Sequence, residues 1–303
     1  MLLPLRKVSQ STSFPRAVQL MKYRYLIIPL SILIGVVMFL YSQKSKPSYL
    51  GLIAVGDTGT GEVAQYKIGE TMNRICKEEN CVGYVLLGDV IYDKGVSSVS
   101  DEQFKTKFEE PYGEISEPFY IALGNHDYLG CVECYEAYST MSAKWRMPSR
   151  YYKESFGVTL DLFVINTNNF DDSQASWLSG EIQKSQASWK IVAGHHPLFS
   201  NDLVHGDAEE PLKTQLQKAL CGKVDVYLAG HAHNLQYLGK RCGVNLIVSG
   251  AGGAQTYELK KDEIPFASDQ HGFVLIQTSN DKLSIHFYDE GGKVLYAFDD
   301  SKM

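Results

Sequence analysis

The chain of 303 residues is 44% hydrophobic and 21% charged, which is an ordinary globular composition with room for one large domain or two small ones. Its formal net charge of −6 is unevenly spread, because seven of the 29 Lys and Arg residues lie within residues 1–46, where there is no Asp or Glu. The rest of the chain therefore carries 22 basic against 35 acidic residues. An acidic domain repels polyanions, so nucleic acid is excluded as a class of partner.

The N-terminal part of the chain contains a candidate membrane segment. Residues 1–24 are polar and basic, and residues 25–41 form a 17-residue run without charge, about 25 Å long as a helix. The positive charge precedes this run, which predicts a cytoplasmic N-terminus and an extracytoplasmic (lumenal, periplasmic or extracellular) main domain at residues 50–303, joined by a linker at residues 42–49.

Two interpretations of this apolar run remain open. No pair of small residues follows Tyr41 at the spacing of a cleavage site, which favours an uncleaved signal anchor. A cleaved signal peptide would instead give a secreted protein, and a start at Met21 would give a more usual signal-peptide beginning.

Hydrophobic periodicity predicts helices and strands in alternation along the main domain. The predicted helices cover residues 62–80, 101–108, 135–146, 175–186 and 212–220. The first predicted strand starts at Leu50 and leads to Asp57. Further predicted strands lead to Asp89, Asn125, His195 and His231, and two more lie at 162–167 and 245–250. The tail alternates apolar and polar residues as a hairpin does, at 272–278 and 283–289, and a last strand is expected at 294–298.

Five of the apolar runs end in residues of a metal-binding type. Each run closes with Gly, which predicts a buried strand that enters a tight turn. The residues that follow these glycines are Asp57, Asp89 with Tyr92 three positions later, Asn125 with His126 and Asp127, His195, and His231 with His233. Because ligands bind outside the carboxyl ends of strands in open α/β sheets, these ends predict one polar, metal-binding pocket.

The cysteine pattern predicts disulfides. The six cysteines are Cys76, Cys81, Cys131, Cys134, Cys221 and Cys242. In an exported protein, an even number at short spacings indicates three local disulfides. Six cysteines allow 15 pairings and the sequence does not choose among them; we expect pairing in sequence order. A zinc or redox site at Cys131-x-x-Cys134 is the rival interpretation, but no second CxxC motif completes a zinc site.

The order of the motifs resembles a known family. Along the chain stand Gly-Asp57-x-Gly, Gly-Asp89-x-x-Tyr92, Gly-Asn125-His126-Asp127, Val-x-Gly-His195 and Gly-His231-x-His233. This set resembles the calcineurin-like metallophosphoesterase superfamily. A Tyr three residues after the second Asp is a feature in which the chain resembles the purple acid phosphatases, and the small, tartrate-resistant type is the most similar. The resemblance implies a four-layer α/β/β/α sandwich with two mixed β-sheets.

The resemblance also implies a binuclear metal centre. Phenolate and carboxylate are hard donors suited to Fe(III), whereas imidazole and amide oxygen suit a divalent ion such as Fe, Zn or Mn. By resemblance, the ferric ligands are Asp57, Tyr92 and His233; the divalent ligands are Asn125, His195 and His231; and Asp89 bridges the two ions. Two metals about 3.5–4 Å apart need such a bridge. Nitrogens two residues apart in His-x-His diverge and can reach neighbouring metals.

The chemistry implied by the resemblance is hydrolysis of phosphate monoesters, with activated anhydrides as a further class, at acidic to neutral pH. A ferric ion lowers the pKa of bound water, so hydroxide is present even in acid and attacks phosphorus in line. The metals stabilise the charge of the transition state. His126 and His205 match the family's outer histidines, and we assign them to substrate orientation and leaving-group protonation.

Other polar residues near the motifs have less specific expectations. Asp127 is expected to orient His126 or to stabilise the loop rather than to bind metal. His196 occupies a position where the family often carries Tyr, and substrate contact and packing are both open. Thr58 replaces an expected aromatic residue, which predicts a reshaped pocket. His271 and His286, outside the motifs, are interpreted as structural.

Two rival functions remain. A phosphodiesterase or nucleotide-hydrolysing metallophosphoesterase with a Mn or Zn centre is the first, but such relatives generally lack Tyr92. A catalytically silent, membrane-tethered binding module is the second, but it predicts lost ligands and none is lost. The expected partners are a small phosphorylated substrate and, through the N-terminal segment, a membrane. The sequence assigns no oligomeric state.

Overall fold

The computed structural model describes residues 49–302 of the chain. The predicted basic segment at 1–24, the apolar run at 25–41 and all but the last residue of the linker at 42–49 lie outside the described residues. Within residues 49–302, no helix combines the length and the apolar character that crossing a bilayer requires.

The described part of the chain contains 14 strands, which we number in chain order. They are β1 (Leu50–Val55), β2 (Cys81–Leu87), β3 (Phe119–Ala122), β4 (Trp145–Arg146), β5 (Tyr152–Phe156), β6 (Leu160–Val164), β7 (Trp189–Ala193), β8 (Val226–Ala229), β9 (Leu235–Arg241), β10 (Val244–Ser249), β11 (Phe266–Ser268), β12 (Gly272–Thr278), β13 (Lys282–Asp289) and β14 (Val294–Ser301).

The strands form two sheets of seven strands each, in the orders β14-β13-β12-β1-β2-β3-β4 and β11-β9-β10-β8-β7-β6-β5. In the first sheet, neighbouring strands from β1 to β4 pair in parallel, whereas β12, β13 and β14 pair with their neighbours in antiparallel fashion. In the second, β6, β7, β8 and β10 are parallel, and β5, β9 and β11 are antiparallel. Both sheets are therefore mixed, as expected.

Helices connect the parallel strands. They are α1 (Val63–Glu79), α2 (Glu102–Phe104, continued by a π-helical turn at Lys105–Glu109), α3 (Val132–Tyr138), α4 (Asp172–Lys184) and α5 (Leu212–Leu220), and a 3₁₀ turn covers Asp127–Leu129. Helix α1 buries Ile68 and Met72 against the first sheet, and it ends at Asn80, whose left-handed backbone returns an N–H to the Cys76 carbonyl.

The second sheet separates two apolar cores. Successive side chains of a strand point to opposite faces. Leu162 and Ile191 accordingly lie in the core between the two sheets, whereas their neighbours Phe163 and Val192 pack with Leu178 of α4. Both faces of the central strands are thus buried, which explains their continuous apolar runs. Helices cover the outer faces, and the predicted α/β/β/α sandwich is confirmed.

One predicted helix was wrong in its extent, and four strands, β4, β5, β9 and β11, were not predicted. The helix expected at 135–146 is the shorter α3, because Trp145 and Arg146 pair with Phe119 and Tyr120 as strand β4, which buries the Trp145 ring completely. The helical stretch expected at 101–108 is confirmed, as an α-turn that widens into a π-helical turn. Strands β5, β9 and β11 were not predicted; β5 and β9 are antiparallel partners of the predicted strands β6 and β10, and β11 pairs with β9.

The cysteine pairing is confirmed for two of the three expected disulfides. Cys131 is bonded to Cys134, and Cys221 is bonded to Cys242. The expected third bond is absent: Cys76 at the end of α1 and Cys81 at the start of β2 are free thiols. Cys76 is buried in the first core, and Cys81 packs against the same core. Packing rather than a covalent link therefore places the two thiols in this core.

Candidate metal centre

The carboxyl ends of strands from both sheets meet at one edge of the sandwich. Asp57, Asp89 and Asn125 follow β1, β2 and β3 of the first sheet. His195 and His231 follow β7 and β8 of the second. The structure therefore brings together all five predicted strand ends. The strands end where the apolar runs end, because the polar groups that follow lie at the edge of the sheets, beyond the apolar core between them.

The backbone at these ends is strained and tightly packed. Asp57, Asp89 and His231 have φ values of 57°, 50° and 67°, in the left-handed region that residues with a Cβ rarely adopt. A Cβ on Gly124 would lie 2.0 Å from Asp89 Oδ1. The glycine before Asn125 is thus required because the Asp89 carboxylate occupies the space of a side chain.

One half of the centre surrounds the Tyr92 hydroxyl. Tyr92 Oη lies 3.2 Å from Asp57 Oδ1, 3.0 Å from Asp89 Oδ2 and 3.0 Å from His233 Nε2. His233 Nδ1 is 2.8 Å from the carbonyl oxygen of Gln255, which only accepts, so this nitrogen carries the proton. His233 consequently turns the lone pair of Nε2 towards the centre, as a metal ligand must.

The other half of the centre surrounds the Asn125 amide oxygen. Asn125 Oδ1 lies 2.9 Å from His195 Nε2 and 3.0 Å from His231 Nδ1. His195 Nδ1 is 2.8 Å from the Leu87 carbonyl oxygen, so the His195 proton is on Nδ1 and its Nε2 is an acceptor. Two acceptors therefore face each other at hydrogen-bond distance, and a cation bound by both would relieve their repulsion.

Asp89 belongs to both halves. Its Oδ2 lies 3.0 Å from Tyr92 Oη and 3.6 Å from His195 Nε2. Asp57, Asp89 and His195 are all buried, and their ligand atoms lie within 4.8 Å of one another. Among residues 49–302, no Lys or Arg pairs with either carboxylate. Buried carboxylates without a cationic partner are costly. The donor set therefore fits two metal ions.

Burial and neighbouring charges shift the pKa values of three groups at the centre. Burial, followed by the charges of Asp57 and Asp89, raises the pKa of the Tyr92 phenol, so a phenolate here needs a strongly charged cation. Burial and the neighbouring histidines lower the pKa of His231, which keeps its ring neutral. Burial opposes protonation of His233, but the hydrogen bond and charge of Asp57 raise its pKa overall.

The two predicted outer histidines lie on different halves of the centre. The His126 ring is 4.5 Å from the Tyr92 ring, and its Nδ1 is 2.7 Å from the carbonyl oxygen of Asp93, which leaves Nε2 free. The His205 ring is 4.1 Å from the His231 ring. Burial lowers the pKa of His205. The two rings thus lie on either side of the centre, one at each half.

A cavity of about 500 Å³ opens beside the His231 half. Thr167, His196, His205 and His231 are among its lining residues. His196 is 4.5 Å from the His231 ring, and burial lowers its pKa to about 3. Thr167 was not singled out from the sequence: it ends a predicted strand, but Asn166 rather than Gly precedes it, so the pattern of the other strand ends does not include it.

Asp127 ties the loops of the centre together. Its buried carboxylate accepts hydrogen bonds from the backbone N–H groups of Gly124 at 2.8 Å, Val90 at 3.1 Å and Ile91 at 3.1 Å. It thus joins the turn after β2 to the turn after β3. Of the two expected roles, the loop contacts are the ones present, and the His126 ring bonds to Asp93 instead.

Three other residues lie away from the cavity. Thr58 is buried, and its methyl group would be 2.4 Å from a Cβ on Gly252, so it fills the interior rather than reshaping the pocket. His271 Nδ1 is 3.2 Å from the carbonyl oxygen of Ala251. His286 lies within β13.

The fold and this centre define a metal-dependent phosphoesterase. The chain belongs to the calcineurin-like phosphoesterase family, whose model matches residues 51–235. Tartrate-resistant acid phosphatase type 5 of Homo sapiens is 30% identical over 292 residues, which cover 82% of this chain and 89% of the human protein. Within the family, the chain is thus a purple acid phosphatase of the tartrate-resistant type, and a metal-dependent phosphatase.

Solved structures share the fold. GAP50, described as the anchor in the inner membrane complex of Plasmodium, has a TM-score of 0.73 at 22% identity and covers 84% of this chain and 89% of its own. Purple acid phosphatase PPD1 from seeds of yellow lupin, Lupinus luteus, has a TM-score of 0.68 at 18% identity and covers 84% of this chain and 54% of its own. At these identities the likeness concerns the fold alone.

Proposed function

We propose that the protein hydrolyses phosphate monoesters, with activated anhydrides as a further class, at an Fe(III)–M(II) centre in which M is Fe, Zn or Mn. The observation that carries this proposal is the position of Tyr92 Oη, within 3.2 Å of two carboxylates and an imidazole. Phenolate and carboxylate are hard anionic donors of the kind that Fe(III) prefers. The similarity to tartrate-resistant acid phosphatases agrees with the reaction class.

The proposed ligand sets follow the two halves of the centre. Asp57, Tyr92 and His233 would hold the ferric ion; Asn125, His195 and His231 would hold the divalent ion; Asp89 would bridge them. When bound, the two ions supply Lewis acidity that activates water and stabilises negative charge on the phosphate. The metal-directed lone pairs are fixed by hydrogen bonds from His195 to Leu87 and from His233 to Gln255.

The remaining steps fall to side chains around the centre. We propose that His126 and His205 orient the phosphate and give a proton to the leaving oxygen. Their rings approach the centre from its two halves, at Tyr92 and at His231. An alkoxide leaving group needs such a donor, whereas an acidic phenol does not. The cavity of about 500 Å³ next to His205 has room for a small leaving group.

The test is a visible absorption spectrum with metal analysis of the full-length protein purified without chelator. A purple or pink band that disappears in Tyr92→Phe supports the ferric centre. Tyr66→Phe is the matched control, since Tyr66 is exposed on α1 and should keep the band. A colourless protein with two bound Mn or Zn ions that prefers bis-ester over monoester substrates would instead establish the phosphodiesterase alternative.

We also propose that residues 25–41 anchor the protein, with the phosphatase domain on the extracytoplasmic side. The support is the uncharged 17-residue run and the basic residues that precede it. An anchored protein would stay in the membrane pellet after alkaline carbonate washing and dissolve in detergent. A soluble product with the mass of a chain that begins after Tyr41 would show that the segment is a cleaved signal peptide, and would contradict the anchor.

A further inference from the structure

His196 lies at the centre without belonging to either proposed ligand set. It lines the cavity together with His205 and His231, and one of its ring nitrogens is within 4.8 Å of ligand atoms of His195 and His231. Geometry alone would therefore allow it to act as a further metal ligand. Its hydrogen bonds decide whether it is a metal ligand or a hydrogen-bond donor.

The Thr167 hydroxyl fixes the proton of His196. Thr167 Oγ1 accepts the backbone N–H of His195 at 3.3 Å and the backbone N–H of His196 at 3.0 Å. A hydroxyl has two acceptor sites and one proton to donate. Both acceptor sites are occupied, so the proton is donated to His196 Nδ1, which lies 2.8 Å away.

The tautomer follows from this assignment. Because Nδ1 accepts from Thr167, it carries no proton, and the proton of the ring is on Nε2. Neither nitrogen then has a free lone pair for a metal. Within residues 49–302, Nε2 has no hydrogen-bond partner, and its ring lines the cavity. His196 thus presents a neutral N–H donor to whatever occupies the cavity beside the centre.

We infer that His196 Nε2–H donates a hydrogen bond to a phosphate oxygen of the substrate. This inference rests on the proposed function, because it places the phosphate at the His231 half of the centre. A donor whose orientation is already fixed is effective towards an anion, because it needs no reorganisation when the substrate binds. Thr167 is then a positioning residue, since it acts through His196.

Two variants of similar size separate the donor from the packing role. In His196→Gln the amide keeps an N–H near the place of Nε2, whereas His196→Met fills the space without a donor. We expect His196→Met to weaken the binding of inorganic phosphate to the metal-loaded, full-length protein about 10- to 100-fold, as loss of a hydrogen bond to a charged group does. His196→Gln should recover most of this affinity, and both variants should keep two metals per chain.

A tautomer measurement tests the same inference without turnover. In ¹⁵N-histidine NMR spectra of the metal-free protein, His196, assigned by its loss in His196→Gln, should show a protonated Nε2 and an unprotonated Nδ1. A protonated Nδ1 would overturn the inference. An unchanged phosphate affinity in His196→Met would also overturn it, because His196 would then have only a packing role. The loss of one metal from His196→Met would overturn it as well, because His196 would then be a metal ligand. If the wild type binds phosphate but hydrolyses no monoester, the proposed function fails. The phosphate-binding and NMR measurements still decide whether His196 donates a hydrogen bond to phosphate.

Discussion

The buried carboxylate of Asp202 accepts a hydrogen bond from Asn234 Nδ2 at 2.9 Å. The same carboxylate accepts the backbone N–H of His205 at 2.8 Å and also the backbone N–H of Val204. It therefore links the loop that carries His205 to the residue directly after His233. The position of an outer histidine is thus set by a side chain that belongs to no motif.

Loss of this link should impair leaving-group protonation. We expect Asp202→Ala to lower kcat about tenfold for alkyl phosphates, whose leaving group needs a proton, and less for aryl phosphates. Metal content should stay at the wild-type value. Steady-state kinetics on both substrate types check this. Asp262→Ala, at an exposed position, is the control; equal losses on both substrates would show that Asp202 does not act through His205.

Gly124 should tolerate no side chain. A Cβ there would lie 2.0 Å from Asp89 Oδ1 and 2.2 Å from Asp89 N, which are parts of the bridging residue. We expect Gly124→Ala to lower both the Tm and the metal content. Gly180→Ala is the matched control: it lies in α4 with nothing near its Cβ, and should stabilise the protein by about 0.5–1 kcal/mol. Calorimetry and metal analysis measure both effects, and a fully loaded Gly124→Ala protein would refute this packing argument.

Metal removal should reverse the effect of neutralising Asp89. With metals bound, Asp89→Asn removes a bridging charge and should lower the Tm. Without metals, Asp57 and Asp89 are buried carboxylates on either side of one phenol, and removal of one charge relieves their repulsion. Asp89→Asn should then be the more stable protein. Thermal unfolding with and without chelator measures the sign of the Tm difference between Asp89→Asn and the wild type. A lower Tm for the variant under both conditions contradicts the prediction.

The Lys153–Asp161 pair should contribute to stability at neutral pH. Burial opposes ionisation of Asp161, but hydrogen bonds from Ser155, Ser185 and Lys153 lower its pKa overall. A carboxyl whose folded pKa is below its unfolded value of about 3.9 stabilises the protein above that pH. This contribution is lost as the pH falls through the folded pKa.

We therefore expect Asp161→Asn to cost about 1 kcal/mol of unfolding free energy at pH 6 and to cost less at pH 3. Urea unfolding at the two pH values measures the difference. Glu102→Gln breaks an exposed pair with Lys105 and should change little at either pH. A cost for Asp161→Asn that is the same at both values would rule out the pair as its cause.

The cysteines should yield two free thiols per chain. The structure has two disulfides and leaves Cys76 and Cys81 reduced, whereas pairing of all six in sequence order leaves none. Titration of the denatured, unreduced protein with a thiol reagent gives the count directly. Cys76→Ser/Cys81→Ser should bring it to zero; a wild-type count of zero would mean that the third bond forms.

Much of the centre was predictable because its signals are local. An apolar run, a glycine and a polar residue specify a buried strand and a tight turn, so Asp57, Asp89 and Asn125 are recognisable one motif at a time. The failed predictions concern segments whose state depends on distant partners. Trp145 lies in a strand because β3 offers it an edge, and Cys76 stays reduced in the packing between α1 and β2.

The sequence by itself determined the identity of the strand-end residues, since these depend on short patterns of hydrophobicity and turn formation. The order of those motifs gave the resemblance to the family, and that resemblance implied the two-sheet sandwich. Only the tertiary structure decided which lone pairs and protons face the centre. The bonds of His195 to Leu87, of Thr167 to His196 and of Asp202 to Asn234 span 108, 29 and 32 residues. The first of these contacts exists only after the two sheets have packed together, and the other two only after the strands and loops of the second sheet have assembled, so no local pattern encodes them.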